Sequence, residues 1–132
     1  MKYDPAVAPN RKQWLALDEG ERIALVEDYH RRAKIDVPRA TLHAAIHAVI
    51  EQQLAEQLPQ VVNAFDRLRA EGLDRHDTIH ALGAVLTEHL RQLVIGELDE
   101  NNPNAAYFAA LDALTAASWR RDFGEDEDDD AV

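Results

Sequence analysis

Four of the six histidines in this chain stand in two pairs with the same spacing. His43 and His47 form one His-x-x-x-His pair, and His76 and His80 form a second pair 33 residues further on. Residues four apart on a helix lie one above the other, with ~5 to 6 Å between their Cβ atoms, so two imidazoles at this spacing can converge on one ion. The two pairs therefore predict ligands for a bound metal.

Both pairs face the apolar side of the helix that is predicted to carry them. When residues are placed ~100° apart around the helix axis, His43 falls inside the apolar arc and His47 lies ~40° away on its flank. His76 and His80 take the same positions on their own helix. Imidazoles on apolar faces need partners that water cannot easily supply. We therefore expect both pairs to point inward, toward one shared site.

Two carboxylates and a further histidine extend the set of candidate ligands. Glu51 follows His47 by one helical turn, while Glu27 and His30 form the Glu-x-x-His arrangement that di-metal bundles use. Taken alone, His30 or His89 is more typical of a core histidine with a backbone or carboxylate partner. Four neutral imidazoles suit one zinc, nickel or iron ion, and two added carboxylates would fit a dinuclear site. The candidate metal ligands are His43, His47, His76, His80, Glu51, His30 and Glu27.

The residue types also limit the chemistry. The chain has no cysteine, so a transition metal has only His, Asp and Glu side chains to bind. A catalytic site would need an open coordination position, with Tyr29, Glu27 or Glu51 as the nearest groups for proton transfer. The sequence has no His-Glu-x-x-His motif, no Gly-rich phosphate loop and no serine nucleophile elbow. It leaves open whether the protein is an enzyme that acts on a small-molecule substrate.

Helix-start and helix-stop residues divide the chain into about five helices. Asp18 and Asp74 stand at N-cap positions, and Gly72 and Gly96 follow helical patterns as C-cap residues. No segment alternates with period two over the length of a strand. The sequence therefore predicts an all-α fold, a compact bundle of about five helices with a core of four packed helices. The predicted helices span about 18–33, 39–57 and 75–95, with a shorter one between Pro59 and Gly72 and a fifth from Ala106 to about 119.

Composition divides the chain into three parts. Residues 1–13 carry two prolines without a helical period and predict an arm that packs loosely or not at all, with Trp14 anchoring its end. Residues 14–120 form the helical bundle domain, in which dispersed arginines indicate surface ion pairs. Residues 121–132 predict a disordered acidic tail, since the six acidic residues at 125–130 supply more than half of the net charge of −11.

The same features indicate which partners to expect. No basic patch offsets the repulsion between this acidic chain and phosphates, so nucleic acid is not an expected partner. No run approaches the ~18 consecutive apolar residues of a membrane span, and the N-terminal stretch lacks the apolar core of a signal peptide. We expect no membrane partner and a cytoplasmic location, and an oligomer is compatible with the sequence.

The segment from His43 to Glu88 carries a recognisable series of residues. It reads His-x-x-x-His-x-x-x-Glu-Gln-Gln-Leu, then Pro59, Arg67-Leu68, Gly72-Leu73 and Arg75-His76-x-x-x-His80-Ala-Leu-Gly. This series resembles families of small uncharacterised bacterial proteins with a domain of unknown function and paired His-x-x-x-His helices. The resemblance covers about a third of the chain. It implies that the two histidine helices act as one unit, and it implies no particular activity.

The sequence thus supports two main hypotheses of different classes. The first is a metal-binding helical bundle with a buried His/Glu non-haem site, mononuclear or dinuclear, of which a metalloenzyme is one form. The second is a non-catalytic interaction or regulatory domain, with a buried histidine network and an acidic tail that docks a basic partner. A purely structural metal site is a third, lesser alternative.

Overall fold

A computed structural model describes residues 1–98 and 101–123 of the chain. Over these ranges the fold is all-α, with seven helices and no strand. None of these helices combines the length and the apolar composition that crossing a bilayer requires. The acidic run at 125–130, on which the predicted tail rests, lies outside the described residues. The helices are α1 Arg11–Ala16, α2 Glu19–Ala33, α3 Ala40–Ala55, α4 Pro59–Ala70, α5 Arg75–Ile95, α6 Pro103–Ala113 and α7 Ala116–Phe123.

Aspartate caps begin two of the helices that carry histidines. The Asp18 carboxylate accepts a hydrogen bond from the backbone N–H of Glu21 at 2.8 Å, and the Glu21 carboxylate accepts one from the backbone N–H of Asp18 at 3.0 Å. The Asp74 carboxylate likewise accepts from the backbone N–H of Asp77 at the start of α5, and Gly96 ends that helix with a φ of 75°. Such caps satisfy backbone groups that have no partner within the helix. The predicted helices at 18–33 and 75–95 are confirmed.

The predicted fifth helix is instead two helices. Thr115 Oγ1 accepts from the backbone N–H of Ser118 at 3.0 Å, and Ser118 Oγ accepts from the N–H of Thr115 at 3.1 Å. This reciprocal cap starts α7 afresh after an extended Leu114. Arg67, predicted to pair on the surface, donates to the carbonyl oxygens of Leu111 and Leu114 at 2.8 Å each. It therefore secures the end of α6 against α4.

The N-terminal segment packs far more closely than the sequence predicts. Tyr3 is 1% exposed and Trp14 is fully buried, and their ring centroids lie 5.6 Å apart. The backbone carbonyl of Tyr3 accepts a hydrogen bond from Arg32 at 2.9 Å. The segment is therefore anchored at Tyr3 rather than loose there, because the burial of an aromatic ring outweighs the ordering of a short segment, while most of its other residues are exposed. The anchoring role predicted for Trp14 is confirmed.

α3 is the central helix of the bundle. It packs against α1, α2, α4 and α5 and separates two buried clusters of apolar side chains. Ile50 belongs to the larger cluster, which includes residues of α4, α5, α6 and α7. Ala44 and Ala48 belong to the smaller one, with Tyr3, Trp14 and Val26. The helix with the first histidine pair is therefore enclosed by protein on several sides.

Gly83 allows α3 and α5 to come together where their histidines lie. A Cβ atom at Gly83 would stand 2.9 Å from Cγ2 of Ile46, which is closer than packed carbon atoms tolerate. The space that a side chain would need at this position is occupied by the Ile46 side chain. Because Ile46 precedes His47 and Gly83 follows His80 by three residues, this contact sets the spacing of the two histidine pairs.

Candidate metal centre

Three helices bring five histidines together, and we call these five residues the histidine cluster. Within the pairs, the ring centroids of His76 and His80 lie 4.2 Å apart and those of His43 and His47 lie 4.8 Å apart. Between helices, the separation is 4.9 Å for His47 and His80, and 5.1 Å for His30 and His43. The two predicted pairs therefore meet between the helices, where His47 is buried and His43, His76 and His80 are half-buried. The buried His30 of α2 lies beside them.

The shortest contact in the histidine cluster joins α3 to α5. Nε2 of His47 lies 3.0 Å from Nε2 of His80. Two nitrogen ligands of one tetrahedral zinc ion stand roughly 3.3 Å apart, given Zn–N bonds of ~2.0 to 2.1 Å. The two nitrogen atoms form a hydrogen bond between neutral rings. The distance between them is also close to that between two nitrogen ligands of the same ion.

The histidine cluster contains two groups of three residues whose nitrogen atoms could hold a metal ion. One group is His30, His43 and His47, and the other is His47, His76 and His80. In each group, one nitrogen per residue lies within 4.8 Å of the others. His47 belongs to both groups, which makes it the centre of the arrangement.

Several nitrogens of the histidine cluster are buried without a hydrogen-bond partner in the described part of the chain. Folded proteins satisfy the large majority of their buried polar atoms, so several exceptions at one place need an explanation. A metal ion is one partner that an imidazole lone pair can take. The five atoms are Nδ1 and Nε2 of His30, Nε2 of His43, Nε2 of His76 and Nδ1 of His80.

Burial makes these imidazoles poor bases. It is the largest cause that lowers the pKa of all five. Neighbouring histidines lower the pKa of His43, His47 and His80 further, whereas nearby carboxylates oppose the effect of burial at His30 and His76. The pKa of His43 falls to about 4 and that of His80 to about 2, while the pKa of His47 lies well below its ordinary value of 6.5. The rings are therefore neutral at pH 7, which is the state in which histidine binds metals.

A chain of short hydrogen bonds runs from His47 away from the histidine cluster. The Tyr3 hydroxyl lies 3.2 Å from Nδ1 of His47 and donates to Oε2 of Glu51 at 2.6 Å. Glu51, which is 1% exposed, also accepts from two nitrogens of Arg75, at 2.6 and 2.8 Å. Both oxygens of this carboxylate thus have strong partners, and Arg75 in addition donates to the carbonyl of Pro5 at 2.9 Å.

The two candidate carboxylate ligands stand at the edges of the histidine cluster. The Tyr3 hydroxyl links Glu51 to His47, and Arg75 donates hydrogen bonds to both carboxylate oxygens of Glu51. Glu27 is half-buried, accepts from Oγ1 of Thr41 at 3.4 Å, and acts on His30 by raising its pKa against the larger effect of burial. Neither carboxylate belongs to the two histidine groups found among the described residues. Metal ligation by Glu27 and Glu51 stays a prediction.

Tyr3 and Arg75 were not predicted to contribute to the site. Tyr3 is 44 residues from His47, and helical periodicity relates only residues of one helix, so no pattern in the sequence joins them. Arg75 was expected in a surface pair, yet its side chain is 10% exposed and paired with Glu51. The sequence does hold one indication of the Glu51–Arg75 ion pair. Glu51 follows one histidine pair and Arg75 precedes the other, so the two side chains lie side by side if the two helices are antiparallel.

No family model, curated protein or solved structure matches the chain. The resemblance of the His43 to Glu88 segment to families with paired histidine helices therefore stays a prediction.

Proposed function

We propose that the protein binds one first-row transition-metal ion in the histidine cluster, with zinc, nickel or iron as the metal. The observation that carries the proposal is the convergence of five buried imidazole nitrogens that have no hydrogen-bond partner among the described residues. Each unpaired buried polar atom costs about 1–3 kcal/mol, so such a group is expensive to maintain. Metal–nitrogen bonds would remove part of that cost.

The donor atoms favour this class of metal. Imidazole nitrogen suits zinc, nickel, iron and copper, whereas magnesium and calcium prefer oxygen ligands. The chain has no cysteine to supply thiolate. Because burial keeps the pKa of the histidines low, protons do not compete with a metal for these lone pairs at pH 7.

The best-supported ligand set is one histidine pair from each of the two long helices. His47 and His80 already stand 3.0 Å apart at their Nε2 atoms. His43 lies 5.5 Å from His80 between ring centroids, and His76 lies 5.5 Å from His47. His76 already shares with His47 and His80 a group of nitrogens within 4.8 Å of one another. Rotation of the His43 ring would add a fourth nitrogen, and His30 is a fifth candidate ligand.

One ion fits better than two. The two histidine groups share His47, so they compete for its ring. Di-metal helical bundles use several carboxylates, which offset the repulsion between two cations only ~3.5 to 4 Å apart. Glu51 is held by Arg75, and Glu27 lies outside both groups. A mononuclear site therefore requires no rearrangement of either carboxylate.

Metal analysis tests the proposal directly. Untagged protein from metal-replete medium should contain about one transition-metal ion per chain by plasma mass spectrometry. His47→Gln and His80→Gln should each lose most of that metal. His89→Gln is the matched control, since it also removes a buried histidine from α5 but outside the histidine cluster, and it should keep the metal. Metal-free wild-type protein would contradict the proposal.

A metalloenzyme is the catalytic form of the same proposal. The ion would act as a Lewis acid or lower the pKa of a bound water, which requires an open coordination position. Tyr29, with its ring 6.1 Å from that of His76 and 5.8 Å from that of His30, is the candidate for proton transfer to a small-molecule substrate. Azide should change the visible spectrum of cobalt-substituted protein if a position is open. An unchanged spectrum, together with lower thermal stability after chelation, would indicate a structural site.

The second candidate function is a non-catalytic regulatory or interaction domain. The His47–His80 hydrogen bond and the Glu51–Arg75 pair favour it, because both are satisfied without an ion. In that case the glutamine variants would lower stability without changing metal content. Deletion of residues 125–132, the acidic run proposed to dock a basic partner, would then end partner binding.

A further inference from the structure

Tyr3 is the only tyrosine among the described residues whose hydroxyl touches a ring nitrogen of the histidine cluster. It is buried, and two hydrogen bonds fix the segment that carries it. Arg32 donates to the carbonyl of Tyr3 and Arg75 donates to the carbonyl of Pro5, each at 2.9 Å. The position of the hydroxyl is therefore set by the surrounding helices.

The direction of each hydrogen bond follows from the number of available protons. The Tyr3 hydroxyl has one proton, and its 2.6 Å contact with the Arg75-bound carboxylate of Glu51 has the length of a charge-assisted O–H···O⁻ bond. A phenol is protonated at pH 7, so the proton stays on the hydroxyl. The remaining partner of the Tyr3 oxygen, Nδ1 of His47, must then be the donor.

We propose that Tyr3 is a positioning residue that holds His47 as its Nδ1–H tautomer, so that the Nε2 lone pair points toward His80 and toward the ion of the proposed function. A neutral imidazole carries one N–H, and the hydrogen bond at one nitrogen decides which nitrogen is left to bind metal. The inference rests on the proposed function only in its last step, since the tautomer exists before any ion binds.

The same proton count assigns a different role to His80. Because Nε2 of His47 has no proton, Nε2 of His80 must donate in the 3.0 Å contact between them. Nδ1 of His80 is then a lone pair, which matches its lack of a hydrogen-bond partner in the described structure. If an ion binds Nε2 of both rings, the Nε2 proton of His80 must be released to water. Nδ1 of His80 would then take up a proton from water, so that the ring stays neutral. Metal binding should thus change the tautomer of His80 and leave that of His47 unchanged.

Nitrogen-15 NMR of the full-length protein tests the assignment without any variant. Long-range proton–nitrogen correlations distinguish the two tautomers of each histidine. In the metal-free protein we expect Nδ1–H on His47 and Nε2–H on His80. On addition of Zn²⁺, His80 should become Nδ1–H. An Nε2–H tautomer of His47 in the metal-free protein would overturn the inference.

Tyr3→Phe removes the hydroxyl and keeps the buried ring. We expect His47 to change to the Nε2–H tautomer in this variant and the affinity for Zn²⁺ to fall about tenfold to a hundredfold, the usual effect of losing such a supporting hydrogen bond. Tyr107→Phe is the control, because that buried tyrosine donates to Gln53 and contacts no residue of the histidine cluster. It should leave both the tautomer and the affinity unchanged.

The outcomes separate the two proposals. If wild-type protein binds no Zn²⁺, the proposed function fails, and the tautomer of His47 still tests the role of Tyr3. If wild-type protein binds Zn²⁺ and Tyr3→Phe binds it equally well with His47 unchanged, the role of Tyr3 is refuted and the metal site stands.

Discussion

Two buried histidines, His47 on α3 and His89 on α5, have very different surroundings. His89 is 6% exposed and stacks on Tyr107, with the ring centroids 5.0 Å apart and the planes 25° from parallel. His47 is 1% exposed, and its ring meets four other imidazoles and Tyr3 within 6.0 Å. One ring packs as a flat aromatic group, and the other stands among nitrogen atoms.

The comparison shows that burial of a histidine does not by itself indicate a site. His89 is buried in the core as predicted, but it stacks on Tyr107, and its Nδ1 has no hydrogen-bond partner among the described residues in place of the predicted backbone or carboxylate group. What distinguishes His47 is that several other imidazoles surround it. These rings carry most of the buried side-chain nitrogens that lack a hydrogen-bond partner in the described part of the chain. Such a concentration is costly for packing alone, and it becomes useful when an ion is bound.

Acid should destabilise the protein more than a single substitution at Gly83 or His89. Burial lowers the pKa of its rings in the folded state, so below about pH 6.5 the unfolded chain binds more protons and stability falls as pH falls. Each ring contributes up to about 1.4 kcal/mol per pH unit until its folded-state pKa is reached. Urea denaturation of metal-free protein at pH 7, 6 and 5 measures the effect. His47→Gln/His80→Gln should show a smaller slope, and a flat wild-type profile would contradict the expectation.

Gly83→Ala should have the next largest effect. The new Cβ would stand 2.9 Å from Cγ2 of Ile46, an atom on a β-branched carbon that cannot move aside easily. We expect a loss of about 1–3 kcal/mol in the free energy of unfolding, together with weaker Zn²⁺ binding because α3 and α5 are pushed apart. Gly20→Ala is the control, since its Cβ meets Asp18 at an ordinary 3.5 Å. Equal stability of the two variants would show that the helices are not in close contact at Gly83.

His89→Phe should have the smallest effect. Phenylalanine keeps a flat ring against Tyr107, so we expect a stability change within about 1.5 kcal/mol and no change in metal content. The same substitution at His80, also on α5, should abolish metal binding. Loss of metal in His89→Phe, measured by plasma mass spectrometry, would remove the distinction between the two regions.

Local signals predicted most of the fold and the main part of the site. The caps at Asp18 and Asp74 and the stop at Gly96 place α2 and α5, and helical spacing places the two histidine pairs on inward faces. These features depend on residues within one helix, where spacing and direction are linked by simple geometry. The meeting of the pairs was predicted from their matching positions on inward helix faces, because α4 lies between α3 and α5 along the chain and short connections relate only successive helices.

Features that depend on distant residues were missed. The contact of Tyr3 with Glu51 joins residues 48 apart, and neither residue carries a local signal of the other. The break between α6 and α7 at Leu114 depends partly on Arg67, which is 47 residues away and donates a hydrogen bond to the carbonyl oxygen of Leu114. Arg75 carries the charge of a surface residue, and its burial depends on a carboxylate from another helix.

The hydrogen bond from Arg75 to Pro5 spans 70 residues, the longest separation among the side-chain hydrogen bonds described. Contacts between residues so distant along a chain close a large loop, and they form only after nearer contacts have reduced the entropy of that closure. The segment with Tyr3 is held in part by Arg75 of α5, so we expect Tyr3 to reach His47 only once α3 and α5 have come together. The hydroxyl that orients His47 would then be the last group to join the histidine cluster.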